Sequence, residues 1–295
     1  MKANIIRIRN YWLALIAPAL LLALSSSAFA QGLNWEGQTG AFVTPFAYTS
    51  GSPANGIGHP QLAFHYLNGG SVMGNDFQAS ITVGLLKRIE VGYTRALVSE
   101  GDTPTLSPLF NNGFNIVHGK VNFLPENSFH TKYLPALSLG FAARTQVQRV
   151  GGVITNKETS NGDVYLVATK VITQSKHVPV LLNAGVKETD AALFGIAGNA
   201  PYWRTRAFGA VGFVLPGPAK SKVVVGSEAA QQPHQIQNLP GATLPTTLTY
   251  FARVIPATES PVNFDFGVAQ AASRVLPSAN VEAREQFAMG ISYRF

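Results

Sequence analysis

The sequence predicts an all-β fold, a single closed antiparallel transmembrane β-barrel of about 12 strands, within a range of roughly 10 to 14. Three observations predict it. The 295-residue chain is 46% apolar and only 13% charged, about half the charged fraction of a typical water-soluble domain. Apolar residues recur at every second position in many segments, most clearly near the C-terminus. After residue 30 no uninterrupted apolar run is long enough for a spanning helix.

Residues 1–30 are predicted to be a signal peptide. A basic stretch precedes an apolar run over residues 11–24, and a small-residue A-x-A pattern follows, so cleavage is expected before Gln31. The alternative is a membrane anchor, but this run of 14 residues contains a proline and is shorter than the about 20 residues that a spanning helix needs. Removing three of the 22 basic residues leaves 19 against 15 acidic. The resulting net charge of +4 is too small to indicate nucleic-acid binding.

The C-terminal segment predicts both a last strand and an assembly signal. Side chains alternate between the two faces of a strand, and here one face is apolar while the other is small or polar. The apolar face carries Phe287, Met289, Ile291, Tyr293 and Phe295. This pattern resembles the closing strand and assembly signal of bacterial outer-membrane β-barrels. The alternatives are an edge strand of a soluble sandwich and a lipocalin-like barrel.

The barrel is assigned to residues 61–295. Strands are predicted at 61–67, 77–86, 89–97, 114–124, 135–146, 163–173, 179–187, 204–215, 221–231, 246–255, 262–272 and 284–295. In 114–124 and 163–173 both faces are mixed, so the register of these strands stays open. Short turns are predicted at 87–88, 125–134, 174–178, 216–220 and 256–261, and longer polar connections at 98–113, 147–162, 188–203, 232–245 and 273–283. The short turns are expected to face the periplasm and the longer loops the outside, because an even strand number puts both chain ends on one side.

Residues 31–60 are dense in Gly and Pro and are interpreted as an N-terminal lead segment. Three placements are open: an extra strand, a periplasmic lead, or a segment inserted into the lumen. The run LNWEGQTGAFVTPFA (33–47) and the hairpin unit GLLKRIEVGYT (84–94) resemble an uncharacterised family of bacterial outer-membrane barrel proteins. They are more distantly similar to barrels associated with exopolysaccharide export. The resemblance implies the outer membrane of a Gram-negative bacterium and transfers no catalytic residue.

No motif in the sequence indicates a catalytic or metal site, so we expect neither enzyme activity nor a cofactor. The absence of Cys excludes a disulfide scaffold and thiolate metal sites. The six His residues do not show metal-ligand spacing, and H-E-x-x-H and G-x-S-x-G are both absent. The Ser-His pairs Ser128/His130 and Ser175/His177 fall in predicted periplasmic turns, away from the outer rim where outer-membrane barrel enzymes carry their catalytic groups.

Strand parity predicts a set of charged side chains that project into the lumen. They are Glu90, Arg144, Arg204, Arg206, Asp265 and Arg284, four basic and two acidic. One interpretation is a narrow, weakly anion-preferring pore or a binding cavity, since rings of charge select the sign of a permeating solute. The other is a salt-bridge network that fills a small barrel, because charges in a confined lumen must be paired.

Three functional classes follow from these observations. The leading one is a small passive pore or ligand-binding transporter of unknown substrate. The alternative is a structural or polysaccharide-export accessory barrel without a channel, and an outer-membrane enzyme is third. The expected partners are membrane lipid, the outer-membrane assembly machinery, periplasmic chaperones and a small solute that the sequence does not identify.

Overall fold

The described chain is built almost entirely of antiparallel strands. The computed structural model describes residues 32–99, 101–104, 107, 112–147, 159–173, 178–237, 241–257, 260–271, 274–276, 279–280 and 286–295. The strands are β1 Gln61–Asn68, β2 Asn75–Leu85, β3 Ile89–Val98, β4 Asn112–Leu124, β5 Ala136–Val147, β6 Thr159–Ile172, β7 Val180–Ala192, β8 Gly198–Pro216, β9 Lys222–Ala230, β10 Thr247–Ile255, β11 Val262–Gln270, β12 Arg274–Leu276, β13 Ala279–Asn280 and β14 Gln286–Arg294. The predicted signal peptide, the Ser175/His177 pair and Arg284 lie outside the described residues.

All strands except β12 and β13, which form a separate hairpin, belong to one closed sheet. Each strand is antiparallel to both neighbours, and β14 closes the barrel by pairing with β11 on one side and β1 on the other. Closure satisfies the backbone groups that an open sheet edge would leave unpaired in hydrocarbon. The prediction of a closed antiparallel barrel of about 12 strands is therefore confirmed. Among the described residues, no helix is both long and apolar enough to cross a membrane.

The outer surface of the barrel is apolar, whereas the inner surface is largely polar. In β11, Phe264 and Phe266 point outward and are 38% and 43% exposed, while Asn263 and Asp265, which alternate with them, are buried. The apolar side chains of the C-terminal segment also point outward: Phe287, Met289, Ile291, Tyr293 and Phe295. A polar interior under an apolar exterior is the arrangement that a lipid bilayer requires of a barrel.

We expect Phe266→Arg to destabilise the folded barrel by about 2–4 kcal/mol, because an outward-facing cation at this depth must enter hydrocarbon. Phe266 lies in the middle of β11 and Phe266→Leu is the matched control, since it keeps an apolar side chain there. The measurement is urea unfolding of the protein in lipid vesicles. Equal stability of the two variants would show that this face does not contact lipid.

The two ends of the barrel carry different connections. At the turn end lie the short connections 86–88 and 217–221 and the C-terminus, and at the loop end lie the longer ones, including 99–111 and 231–246. The predicted long connection at 188–203 was wrong, because β7 and β8 continue through most of it. The polar residues of this stretch therefore lie within strands and do not mark a loop.

Residues 32–50, named here the plug, lie inside the barrel. The plug contains only isolated bridges, between Leu33 and Thr39 and between Gly40 and Pro45, and most of its residues are buried. Gly37 has a φ of +86°, a conformation that L side chains rarely adopt, and it allows the first chain reversal. Of the three placements left open by the sequence, these residues occupy the lumen.

The chain leaves the lumen at the turn end. Gly84 of β2 makes room for the exit, because a Cβ there would lie 2.0 Å from the carbonyl oxygen of Ser50. Beyond it, the N–H of Gly58 donates to the carbonyl of Gly84 at 2.8 Å. The N–H of Phe295 donates to the carbonyl of Pro60 at 3.2 Å, which ties the C-terminus to the start of β1. The plug is therefore connected to β1 at the turn end of the barrel.

Candidate functional site

An apolar cluster joins the plug to one side of the barrel wall. Plug residues Trp35, Phe42 and Phe46 are at most 3% exposed. The wall residues that share their cluster include Tyr165, Val167, Leu181, Phe208, Val224 and Phe251. Burying a large apolar side chain contributes about 1.5–3 kcal/mol. The plug is therefore packed against this part of the wall as a protein core is.

The carboxylate of Glu228 on β9 holds the second reversal of the plug. Its Oε1 accepts hydrogen bonds from the N–H groups of Phe42 at 3.1 Å and Val43 at 2.7 Å. Its Oε2 accepts from the N–H of Thr44 at 2.8 Å and from the Thr44 hydroxyl at 2.7 Å. Glu228 forms no ion pair with a cation among the described residues. Its charge is stabilised by the plug itself, through charge-assisted hydrogen bonds.

A buried ion pair near the turn end contacts the plug at several points. Lys120 of β4 and Glu90 of β3 are both fully buried, with Nζ 3.2 Å from Oε1. Glu90 accepts hydrogen bonds from the N–H of Thr39 at 3.0 Å and the N–H of Ser50 at 2.7 Å. Lys120 donates to the carbonyls of Thr39 and Phe46, both at 3.0 Å. One wall pair thus supplies both donors and acceptors to the main chain of the plug.

Arg144 of β5 is the centre of a buried charge network. Its Nε donates to Glu36 of the plug at 2.7 Å, and its Nη2 pairs with Asp163 of β6 at 2.8 Å. Lys187 of β7 adds a longer contact to Asp163 at 3.5 Å. The Arg144 side chain has no exposed surface, so the network is removed from water. It connects three neighbouring wall strands to the first reversal of the plug.

Arg253 of β10 binds the plug from the opposite side of the barrel. Its Nε lies 2.6 Å from Oδ1 of Asp265 on β11, in a buried ion pair. The same guanidinium donates to the carbonyls of Gly40 at 2.9 Å, Ala41 at 3.2 Å and Leu33 at 3.4 Å. Like Lys120, Arg253 therefore has a carboxylate partner in the wall and carbonyl acceptors in the plug.

Little space remains between the plug and the wall where the charges meet. A cavity lined by Glu36, Asp163, Tyr165 and Lys187 has a volume of about 20 Å³, close to the space that one water molecule needs. Among the described residues, this space between plug and wall is too small to hold a solute larger than a water molecule.

The structure divides the charged residues that parity assigned to the lumen. Glu90, Arg144 and Asp265 are buried in the interior, where each is ion-paired. Arg204 and Arg206 differ from the prediction: they lie on the part of β8 that rises beyond its pairing with β9, where Arg204 is exposed and Arg206 half-buried. Both residues are on the face of β8 that points inward further down the strand, but they lie beyond the loop end of the lumen.

Sequence reasoning did not single out most of the buried charges of the wall. Those missed are Asp76, Lys120, Asp163, Lys187, Glu228 and Arg253. With Glu90, Arg144 and Asp265, the described wall buries five acidic and four basic side chains. The predicted excess of basic groups is therefore absent from the described part of the lumen, and the electrostatic argument for anion preference is lost with it.

Two histidines of the wall, His65 and His118, are also buried. The ring of His65 lies 5.8 Å from that of Trp35 and 6.1 Å from that of Phe42, centroid to centroid. His118 Nε2 is 3.4 Å from the hydroxyl of Thr82. Within the described ranges, no three His, Asp or Glu side chains are placed to hold a metal ion. The ring of His65 thus belongs to the contact between plug and wall, whereas the printed contact of His118 is with the wall strand β2.

Residues 32–252 match a family described as "Protein of unknown function (DUF3034)". No curated protein matches the chain. Among solved structures, the chain is similar to the COG4313 outer membrane channel from Pseudomonas putida F1, with 9% identity, a TM-score of 0.48, and coverage of 86% of this chain and 100% of that one.

Two further solved structures are similar. The beta domain of the Bordetella autotransporter BrkA has 12% identity and a TM-score of 0.36, covering 82% of this chain and 100% of its own. A bacterial polysaccharide outer membrane secretin has 11% identity and a TM-score of 0.35, covering 83% and 100%. At this level of similarity, none of the three identifies a solute or a partner for the chain.

Proposed function

The chain belongs to the DUF3034 family of proteins of unknown function, and from its geometry we propose that it is an outer-membrane transport barrel closed at rest by its own plug. In this proposal a small solute passes when the plug withdraws from the lumen. The observation that carries the proposal is the way in which the wall binds the plug. Charged side chains of the wall form hydrogen bonds with the main chain of the plug, and most of them are also ion-paired with another wall residue.

The ion pairs within the wall support the proposal that the plug can leave the lumen. Lys120 with Glu90 and Arg253 with Asp265 are ion pairs between neighbouring strands. Arg144 likewise keeps Asp163 when Glu36 is taken away. Without the plug, these groups would be hydrated pairs on the surface of a polar lumen. A charged wall residue whose only partner was in the plug would lose that partner when the plug leaves, at a cost in free energy.

The apolar exterior supports a membrane location, and the expected signal peptide supports the outer membrane. The short turns would then face the periplasm. Both ends of the plug lie near the turn end: Ser50 is bonded to Glu90 at the start of β3, and Leu33 is bonded to Arg253 near the end of β10. Withdrawal toward the periplasm is the direction that this attachment supports.

Single-channel recording in planar bilayers tests the proposal with the full-length protein and Glu228→Ala. The unaltered protein should be closed for most of the time. Glu228→Ala removes the acceptor of four hydrogen bonds to residues 42–44, so the fraction of time spent open should rise by roughly tenfold or more. Glu188→Ala is the matched control, because this carboxylate lies on the outer face of β7 and bonds to Thr205.

Each outcome separates two functions. Openings that increase in Glu228→Ala and not in Glu188→Ala support the gated barrel. Silence in all three proteins would contradict gating and favour the second candidate, a sealed structural or accessory barrel. That candidate is favoured by the apolar cluster around Phe46, which resembles permanent packing. Our proposal is one of transport and includes no catalytic step.

A further inference from the structure

A cleft opens at the loop end of the barrel, beside the extended hairpin of β7 and β8. Its volume is about 310 Å³, at the lower end of the range typical of small-molecule sites. The residues that line it include Pro201, Tyr202, Arg204, Arg206, Pro233 and His234. We name it the mouth cleft. It lies above the plug, on the side from which the lumen would be entered.

The strand β8 sets the two arginines side by side. Tyr202, Arg204 and Arg206 occupy alternate positions and therefore share the face that carries the buried Phe208 further down the strand. Arg206 is oriented by two main-chain carbonyls, because its Nε donates to Gln232 at 2.9 Å and its Nη1 to Thr205 at 2.9 Å.

Arg204 is held in a different way. Its guanidinium carbon lies 5.6 Å from the centre of the Tyr202 ring, a cation–π contact that leaves its N–H donors available. On the other side of the cleft, His234 is fixed by a contact of 3.3 Å between Nδ1 and the carbonyl of Leu244. The donors of the mouth cleft are thus oriented by the protein.

The described residues that line the mouth cleft include two arginines and no carboxylate. Among the described residues, neither Arg204 nor Arg206 forms an ion pair, whereas Lys120, Arg144, Lys187 and Arg253 in the lumen each pair with a carboxylate. Glu188 of β7 pairs with Thr205 of β8, next to the two arginines. Its carboxylate accepts a hydrogen bond from the Thr205 hydroxyl on the outward face of the sheet, away from the cleft. In the part of the chain that the structure describes, the arginines of the lumen are ion-paired and those of the cleft are not.

We infer that the mouth cleft is a binding site for a phosphate or carboxylate group, carried by a small solute or by a lipid headgroup of the outer leaflet. Two adjacent guanidinium groups present planar sets of donors that match such oxyanions in geometry as well as in charge. The Tyr202 ring and the two prolines supply apolar walls for the rest of the ligand. The site is independent of whether the plug moves.

Isothermal titration of the full-length protein in detergent micelles tests this site in two arms. One arm uses inorganic phosphate and glucose 6-phosphate, with glucose as the uncharged control. The other uses lipopolysaccharide. Arg204→Ala and Arg206→Ala should each weaken binding roughly tenfold, and the double variant more, because each loses charge-assisted hydrogen bonds. Arg95→Ala is the matched control, since Arg95 lies near the loop end of β3 and donates to Asn115 outside the cleft.

The pattern of binding identifies the source of the anion. Arginine-dependent binding of glucose 6-phosphate or phosphate supports a solute, and arginine-dependent binding of lipopolysaccharide alone supports a headgroup. The inference is overturned if neither arm depends on Arg204 or Arg206, if Arg95→Ala has the same effect, or if glucose binds as well as its phosphate. Heat-modifiable gel migration confirms that each variant keeps its barrel.

Discussion

Replacing Arg144 with alanine should destabilise the plugged barrel by about 3–5 kcal/mol, the cost typical of removing one partner of a buried ion pair. Arg144 is fully buried, and it is the cation within ion-pair distance of Glu36 among the described residues. Among the described residues, its loss leaves Glu36 without an ion-pair partner and Asp163 with only the longer ion pair to Lys187. Two carboxylates would then remain buried with at most one weakly placed cation between them.

Urea unfolding in micelles, followed by the emission of Trp35, measures this change. Trp35 is buried in the plug, and a Trp203→Phe background removes the emission of the exposed tryptophan on β8. The third tryptophan, Trp12, lies in the expected signal peptide, so the measurement uses the chain that begins at Gln31. Arg95→Ala is the control and should cost less than about 1 kcal/mol, because its partner is a neutral amide near the surface. A small loss of stability in Arg144→Ala would contradict a lumen that is closed to water.

A variant that removes every charge of the network refines the argument. Arg144→Met combined with Glu36→Gln and Asp163→Asn leaves no unpaired carboxylate in that part of the interior. It should recover most of the stability that Arg144→Ala loses, since neutral replacement of a buried ionic cluster is often tolerated. Failure to recover would assign the loss to packing around Arg144 and not to its charge.

The barrel could be predicted from the sequence because the residues that face the bilayer are apolar. Apolar residues therefore recur at every second position of a strand wherever the residues that face the lumen are polar. The strand β11 meets this condition, since its outward residues are apolar and its inward ones are polar or small. The strand β6 does not. Its inward face carries Tyr165, Val167 and Val171, which pack in the cluster that contains the plug. The plug makes this part of the wall apolar on both faces, which removes the signal and left the register of 163–173 open.

The same cause explains why Glu228 was missed. In the strand β9 three consecutive valines, Val223 to Val225, follow Lys222, so alternation does not indicate which face is inward. Glu228 then stands in a segment whose parity the sequence does not define. The plug itself has no period, and its hydrogen bonds to the wall run largely through main-chain atoms. Side-chain patterns carry no information about such contacts.

Parity also fixes the face of a residue but not its height along the barrel. Arg204 and Arg206 share the inward face of β8, as alternation predicts. The strand continues beyond the end of its pairing with β9, so these side chains reach the mouth cleft and not the lumen. The position of a residue along the barrel axis depends on where the neighbouring strands end. That is a property of the assembled sheet and not of the alternation within one strand.

Phe46→Ala is expected to release the plug while the barrel stays folded. Phe46 is 1% exposed and lies in the apolar cluster, and truncation of a buried Phe to Ala costs about 3–5 kcal/mol. The released state should therefore gain roughly two to four orders of magnitude in population. Ser50→Cys provides the reporter, since the unaltered chain has no Cys and the Ser50 hydroxyl has no hydrogen-bond partner in the described structure.

The measurement is the rate at which a hydrophilic thiol reagent modifies Ser50→Cys, with and without Phe46→Ala. The rate should rise with the population of the released state, while heat-modifiable gel migration shows that the barrel persists. Phe141→Ala is the control: it truncates a Phe that faces outward on β5 and should leave the rate unchanged. If the barrel is lost together with the plug, the two form one cooperative unit. The gated function would then fail and a permanently sealed barrel would stand in its place.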